Sequence, residues 1–309
     1  VIRLGTRGSL LARTQSERVA ARLRGETGED VELVLITTHG DVTSGPLTAL
    51  GGTGVFATAL REALLAGECD LIVHSLKDLP NAPYPGLVLA AVPERASAAD
   101  VLVTRDGSGL ASLAAGARVG SGSPRREAQL RRARPDLVVD GIRGNVDTRV
   151  GKVDSAEYDA TVLAEAGLRR IGRDARIAEA YALSEWPTSA GQGALAVELR
   201  EGDLDSPLGR AVRAINDVDA EARALAERAI LARLEAGCAA PVGITVHDDT
   251  HGLRLVAEVY SLDGARSARV DEHIEPAEIA TADRRARLAA RVVDELHARG
   301  AADLQAETA

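Results

Sequence analysis

Residues 70–75, Asp-Leu-Ile-Val-His-Ser, decide how this chain folds. The run is continuously apolar at its centre, the pattern of a strand covered on both sheet faces. The segments around it supply the cover. Val1 to Gly5 reads as a short buried strand, and Ser9 then starts a helix carrying Leu10, Leu11, Val19 and Leu23. Val31 to Ile36 is a second strand. Phe56, Leu60, Ala63 and Leu64 share one face of a helix that Gly67 ends. Leu87 to Val92 is a fourth strand. Strands alternating with helices predict an α/β fold.

A second series follows the polar connection Glu94–Asp100. Strands at Val101–Thr104, Arg118–Gly120, Leu137–Asp140 and Thr161–Leu163 alternate with helices near 124–133, 145–153 and 175–182. The segment Ser184–Gly193, SEWPTSAGQG, breaks this rhythm, and the apolar strand Ala194–Leu199 is read as the chain crossing back into the first domain. The remainder differs. A long helix, Val218 to Glu235, precedes the Gly237–Cys238 turn. Strand-like runs at Val242–Val246, Leu253–Tyr260 and Ser267–Ile274 follow, and a helix of about Ala280 to Arg299 closes the chain. That pattern predicts an antiparallel sheet with helices packed on it, an α+β domain. The domains expected are 1–94 with 194–214, 95–193, and 215–309.

At 309 residues the chain is long enough for two or three domains. The net charge of −9 and the scarcity of aromatic residues (2%) argue against a nucleic-acid binder. Lysine occurs only at Lys77 and Lys152, so arginine supplies nearly all the positive charge. Two cysteines are too few for a disulfide framework, and Cys69 reads as a small buried hydrophobe. No apolar run approaches the roughly 20 residues needed to span a bilayer. The first residues enter a strand pattern with no secretory signal, so a cytoplasmic enzyme is expected.

Arginine concentrates where strands give way to helices. Arg3 and Arg7 flank the first strand. In Gly120–Arg126, GSGSPRR, Ser123 suits a helix N-cap and Pro124 the first helical position. Arg125 and Arg126 then sit in the first turn, where the helix dipole disfavours cations. An anion bound across the helix N-terminus and both guanidinium groups resolves the conflict; two solvated arginines are the plainer alternative. Arg143-Gly144-Asn145 again links a strand to a helix, Arg149 lies one turn on, and Arg170 is a further candidate. Ligands of α/β sheets bind outside the carboxyl ends of strands, so two such domains facing one another predict a cleft for a small polyanion.

At the end of the strand quoted first stand Lys77 and Asp78. An exposed Lys–Asp pair is worth little, but in an arginine-lined cleft Asp78 is the carboxylate reserved for a developing positive charge. His74 reads as a buried, hydrogen-bonded residue. Phe56 follows Gly51-Gly52-Thr53-Gly54; it is either a core anchor or a ring stacked on a planar ligand. Cys238, in LEAGCAAP (234–241), has no metal-ligand spacing; it is an incidental thiol or a nucleophile that holds a ligand as a thioether.

The blocks IRLGTRGSLLARTQ (2–15), IVHSLKDLP (72–80), GSGSPRREAQL (120–130), IRGNVDTR (142–149), AGQGALAVE (190–198) and LEAGCAAP (234–241) stand in the order and spacing of one family. From about Val1 to Gly300 the chain resembles the hydroxymethylbilane synthase (porphobilinogen deaminase) family. The resemblance implies two α/β lobes of the periplasmic-binding-protein (type II) kind and a C-terminal α+β domain with a three-stranded antiparallel sheet. It implies a dipyrromethane cofactor joined by thioether to Cys238. Four porphobilinogen molecules add stepwise with loss of ammonia, and the linear tetrapyrrole of haem biosynthesis is released by water. Each pyrrole carries an acetate and a propionate, which gives the arginines their reason.

By the same resemblance Asp78 stabilises the cationic pyrrole left when ammonia departs and helps move its proton, with Lys77, Arg7 and Arg143 beside it. Cofactor contacts fall to Ser75, Lys77, Asp78, Ser121, Ser123, Arg125, Arg126, Arg143 and Gly144. Substrate contacts fall to Arg3, Arg7, Ser9, Gln15, Phe56, Asn145, Arg149, Arg170 and Gln192. No metal, nucleic acid or membrane partner is expected, and a monomer is. Two lysines that some members place in a mobile loop are here Ala49 and Thr53, and Gly122 replaces a serine. The rival reading is a non-catalytic anion-binding or solute-binding protein on the same two lobes.

Overall fold

A computed structural model describes residues 1–37, 54–235 and 240–307, the side chains of residues 54–56 excepted. It separates into two compact units, Val1–Ala96 with Ala194–Glu221, and Ser97–Gly193 with Ala222–Ala309.

In the first unit β1 (Ile2–Thr6) leads into α1 (Leu10–Thr27), and β2 (Val31–Leu35) returns beside it. Helix α2 (Gly54–Leu65) precedes β3 (Leu71–Ser75), the strand that opened the sequence reading, and β4 (Leu87–Ala91) follows. Strand β10 (Leu195–Arg200) comes back from far along the chain, and α6 (Pro207–Ala214) follows it. The sheet order is β2-β1-β3-β10-β4, with β1, β2 and β3 parallel and β10 antiparallel to both of its neighbours. The crossing-back strand is therefore where the apolar run after SAGQG predicted it. Leu4, Leu71, Val73 and Val197 form the core on one face with Val19 and Leu23 of α1. On the other face Ile72 packs with Leu60, Leu64 and Cys69.

Cys69 is buried, as a small apolar residue should be, and burial pushes its thiol pKa up. Its partner is Gly5. A Cβ at Gly5 would lie 2.8 Å from the Cys69 sulfur and 2.9 Å from Ile72 Cγ2. Glycine there lets β1 and β3 approach, and it brings the turn that holds Arg7 to the carboxyl end of β3.

The second unit begins with β5 (Asp100–Thr104) and β6 (Arg118–Ser121), then α3 (Pro124–Ala133), β7 (Val138–Gly141), α4 (Val146–Asp154), β8 (Ala160–Ala164) and α5 (Glu165–Arg170). The helix expected near 175–182 is not formed. A 3-10 turn, Asp174–Arg176, leads instead to a short strand, β9 (Glu179–Ala180), paired antiparallel with β5. Edge pairing satisfies backbone groups of β5 that a helix would leave open, and the Glu179 carboxylate takes the Leu110 backbone N–H at 2.7 Å. Local propensity is overridden by the neighbour.

The order β7-β6-β8-β5-β9 repeats the first sheet: three parallel strands, one antiparallel strand, one edge. This shared order is the arrangement of the two type II lobes that the resemblance implied. Helix α7 (Val218–Arg233) runs on to a three-stranded antiparallel sheet, β11 (Val242–Asp249), β12 (Gly252–Tyr260) and β13 (Ser267–Ile274). The closing helix is three pieces: α8 (Pro276–Ile279), α9 (Ala282–Ala298) and α10 (Ala301–Ala306). Gly300, at φ 95, makes the last break. Leu288, Val292 and Leu296 of α9 pack on Leu255, Ala257 and Val270.

Candidate active site

Parallel strands deliver their carboxyl ends to one edge, and in the first unit that edge collects most of the residues singled out in the sequence. Arg7 and Ser9 follow β1. Ser75 ends β3, and a 3-10 turn, Leu76–Asp78, carries Lys77 and Asp78. Ser9 caps α1, its hydroxyl accepting the Ala12 N–H at 3.3 Å. Gln15, buried one turn further on, donates to the Ser75 hydroxyl at 2.9 Å and ties α1 to the end of β3. Lys77 is half-buried. Asp78 is exposed, and no ion pair or hydrogen bond holds its carboxylate among the described residues. Arg3 does not join them. It lies near the amino end of β1, where its guanidinium grips Asp70 at 2.7 Å and the Glu68 carbonyl at 3.1 Å.

Behind this edge is a buried ionic cluster that sequence reasoning missed. Glu198 of β10 accepts two hydrogen bonds from Arg61 of α2, at 2.7 and 2.9 Å, and His74 Nε2 lies 3.1 Å from the same carboxylate. Burial alone would raise the Glu198 pKa. The nearby His74 and the hydrogen bonds and charge of Arg61 outweigh it and bring the group down to about 2. His74 is buried, as the sequence suggested, but its Nε2 lies beside the Glu198 carboxylate without hydrogen-bond geometry. The pH dependence follows. A carboxyl depressed from its ordinary 4.5 to about 2 contributes on the order of 3 kcal/mol, present above pH 4.5 and lost as pH falls towards 2. Glu198→Gln is expected to flatten the acid limb of the stability–pH curve measured by urea unfolding. An unchanged acid limb would show that the cluster contributes nothing.

The second unit repeats the device with more charge. Ser121 ends β6, and its hydroxyl accepts the Ser123 N–H at 3.1 Å. Ser123 caps α3 without a side-chain hydrogen bond to the helix. Arg125 and Arg126 follow, and both are buried, so they are not solvated surface arginines. Their acid is Asp100, fully buried at the start of β5. Because β5 runs antiparallel to β8, with Asp100 opposite Ala164, its amino end lies at the edge where β6 and β8 end. Arg126 donates to Asp100 at 2.6 and 3.1 Å, and Arg125 at 2.8 Å. Trp186 Nε1 adds a bond at 3.2 Å and Gln192 one at 2.9 Å. Burial would raise the Asp100 pKa, but the two guanidinium charges and these hydrogen bonds hold the carboxyl far below the usual range. Asp100 was not singled out in the sequence. The available signal was a charged residue heading the apolar run VLV, with the only tryptophan and the arginine pair downstream.

After β7 come Arg143, exposed, and Gly144, whose φ of 106 suits glycine. Asn145 caps α4 without a side-chain bond. Arg149 Nε donates to the Gly144 carbonyl at 2.8 Å and folds this turn back on its helix. No carboxylate pairs with Arg149 among the described residues. Burial, and then the Arg126 charge, push its pKa down. Arg170 of α5 is buried and donates to the Gly193 carbonyl at 2.6 Å. The Phe56 side chain, Ala49, Thr53 and Cys238 lie outside the described residues. Among the described residues no group of His, Cys, Asp and Glu could hold a metal ion, and no helix is long and apolar enough to cross a membrane.

Two family models match the chain: "Porphobilinogen deaminase, dipyromethane cofactor binding domain" over residues 2–206 and "Porphobilinogen deaminase, C-terminal domain" over residues 222–290. The chain belongs to the porphobilinogen deaminase family. It is an enzyme, a transferase, with the hydroxymethylbilane synthase activity and the dipyrromethane cofactor of that family. The porphobilinogen deaminase of Leifsonia xyli subsp. xyli is 54% identical over 308 residues, 98% of this chain and 94% of that protein. That of Thermobifida fusca is also 54% identical, over 88% of this chain and 85% of its own. A crystal structure of the methionine-binding protein MetQ, 14% identical, aligns with a TM-score of 0.46 over 69% of this chain and 89% of that one, too weak a likeness to bear on function.

The residues present fit a polycarboxylate cofactor. Arg125, among the residues assigned to the cofactor, is buried with its Nε donor unpartnered among the described residues, and a carboxylate is the group such a donor takes best. The non-catalytic receptor reading gives way to the enzyme family.

Proposed function

We propose that the two sheet edges divide the work of a hydroxymethylbilane synthase, the first performing the chemistry and the second holding carboxylates. The observation that supports this most directly is Arg149, a half-buried guanidinium at the start of α4 whose Nε bonds the Gly144 carbonyl and which meets no carboxylate among the described residues. When bound, the dipyrromethane supplies, on the Cys238 sulfur, an anchored pyrrole with a nucleophilic carbon.

In the second unit Ser121, Ser123, Arg125, Arg126, Arg143 and Gly144 would hold that group. Asn145, Arg149 and Arg170 would take the acetate and propionate of incoming porphobilinogen, through charge-assisted forked contacts where the residue is arginine; Gln192, fully buried with its amide on Asp100 and the Ala98 and Ala99 carbonyls, supports that edge and does not contact substrate itself. In the first unit Ser75, Lys77 and Asp78 would add cofactor contacts, while Arg7, Ser9, Gln15 and Phe56 would orient substrate. Asp78 acts as the electrostatic partner of the positive pyrrole formed when ammonia leaves, and it accepts the ring proton after coupling. A carboxylate with no ion pair among the described residues is suited to both tasks. Lys77 and Arg7 would balance the charge around it, and Arg143 is assigned to the same chemistry by the family resemblance. Arg3, committed to Asp70 near the amino end of its strand, is left without a role at the site.

The same reading divides the chain into domains at 1–94 with 194–214, 95–193 and 215–309, and places a monomeric enzyme in the cytoplasm with porphobilinogen as its small-molecule partner and no nucleic acid or membrane. Intact mass of the purified protein tests the cofactor. The expected result is a covalent increment of two pyrrole units that is missing from Cys238→Ser. An unmodified wild-type mass, or an increment that survives in Cys238→Ser, contradicts it.

A further inference from the structure

The arginine pair of α3 is a puzzle of charge before any ligand is considered. Two cations stand in a first helical turn, against the dipole, and both are buried. Asp100 supplies one negative charge to the two, and it holds them differently. Arg126 spends its Nε–Nη2 edge on the Asp100 carboxylate, at 3.1 and 2.6 Å, and its Nη1 on the Val162 carbonyl at 3.0 Å. Arg125 is held chiefly by Nη1, which donates to Asp100 and to Gln129 Oε1, each at 2.8 Å, and approaches the Pro187 carbonyl at 3.3 Å. Its own Nε–Nη2 edge is not used by Asp100. Nε is buried with no hydrogen-bond partner among the described residues, and Nη2 reaches only the Ser189 hydroxyl at 3.5 Å.

An open guanidinium edge accepts one carboxylate through two parallel hydrogen bonds. Leaving a buried N–H unsatisfied costs about 1–3 kcal/mol, so the Arg125 Nε is a donor with capacity for one more acceptor. The direction of that edge is set by what grips the opposite end. Trp186 and Gln192 fix the Asp100 carboxylate in turn, and Gln129 is steadied by its bond to the Tyr260 hydroxyl at 3.1 Å. Asp100 itself is completely buried and meets no ligand.

We propose that Asp100 is a positioning residue for ligand binding: by clamping Arg126 along its side edge and Arg125 at Nη1, it keeps the Nε–Nη2 edge of Arg125 aimed at one carboxylate of the pyrrole ligand. The inference rests on the reading of Arg125 as a cofactor-binding residue. It adds that the orientation of Arg125, and so the order in which the second edge takes up carboxylates, is decided by a residue outside the contact layer.

Asp100→Asn in the full-length protein tests this by two readouts. The first is the fraction of polypeptide that carries the two-pyrrole mass increment, expected to fall about fivefold or more. The second is the kinetics of the loaded fraction, where KM for porphobilinogen is expected to rise about tenfold while kcat stays within about threefold. A folded Asp100→Asn protein with wild-type loading and a KM equal to or below that of wild type overturns the proposal. Two buried cations without a counter-charge can prevent folding. In that event Trp186→Phe decides, because it keeps every charge and removes one donor to Asp100. A KM raised about threefold at constant kcat supports positioning, and an unchanged KM overturns it. A wild-type protein with no increment sinks the cofactor reading itself, a result distinct from the failure of Asp100 alone.

Discussion

Asp78→Ala is expected to lower kcat by about 10²–10³-fold while leaving KM within about threefold of wild type. The carboxylate is exposed and has no partner among the described residues, so its removal breaks no contact that holds the fold. Stability should therefore move by no more than about 0.5 kcal/mol, as for other surface positions. Activity is another matter. The 3-10 turn Leu76–Asp78 is rigidly placed: Leu76 is buried, its N–H bonds the Ala194 carbonyl at 3.0 Å, and Ser75 is tied to Gln15. A carboxylate at the end of so firm a mount is preorganised, and the transition state does not have to reorganise it. Asp78→Asn separates charge from shape. It should be nearly as slow as the alanine variant, because the amide keeps the volume and loses the charge. Steady-state kinetics with porphobilinogen, together with a thermal melt, checks both points. Turnover within about fivefold of wild type in either variant would remove Asp78 from the chemistry.

Arg126→Leu should fail differently, through both stability and cofactor loading. The guanidinium makes two of the bonds to Asp100 and one to the Val162 carbonyl. Leucine leaves a fully buried carboxylate with Arg125 as its only ionic partner, and breaking buried ion networks in this way costs about 3–5 kcal/mol. A urea titration should show the unfolding free energy lowered by that amount, as a lower midpoint with little change in slope. At a temperature where the variant is folded, intact mass should show unloaded polypeptide or a chain stalled early in elongation. A stable, fully loaded and normally active Arg126→Leu protein would mean that the pair is dispensable. The contrast with Asp78 is instructive. Asp78 has no partner among the described residues, whereas Arg126 is held by Asp100 and the Val162 carbonyl, so the two substitutions should separate loss of chemistry from loss of structure.

The legible parts of this molecule were those carried by local pattern. The apolar run 70–75 predicted a strand covered on both faces, and β3 has Ile72 in one cluster and Leu71 and Val73 in another. Ser9 and Ser123 were recognisable as caps because capping is a property of a few consecutive residues. The ends of β1, β3, β6 and β7 could be located closely enough to see arginine, serine and aspartate gathering there. The region 175–182 was misread because its strand exists only as the edge partner of β5, and no local pattern encodes a neighbour.

From residue order alone came the alternation of strands and helices, the apolar core, the concentration of arginine at strand ends and the family, since each depends on spacing along one chain. Tertiary structure decided which carboxylate meets which guanidinium. Asp100 is 25 and 26 positions from Arg125 and Arg126, and 86 and 92 from Trp186 and Gln192. Glu198 is 137 from Arg61. The Asp100 pairs form because antiparallel β5 returns its acid to the edge where the parallel strands of its sheet end, and Glu198 meets Arg61 because a helix packs across β10. Electrostatic partnership is settled by distance in space, which the linear order does not contain.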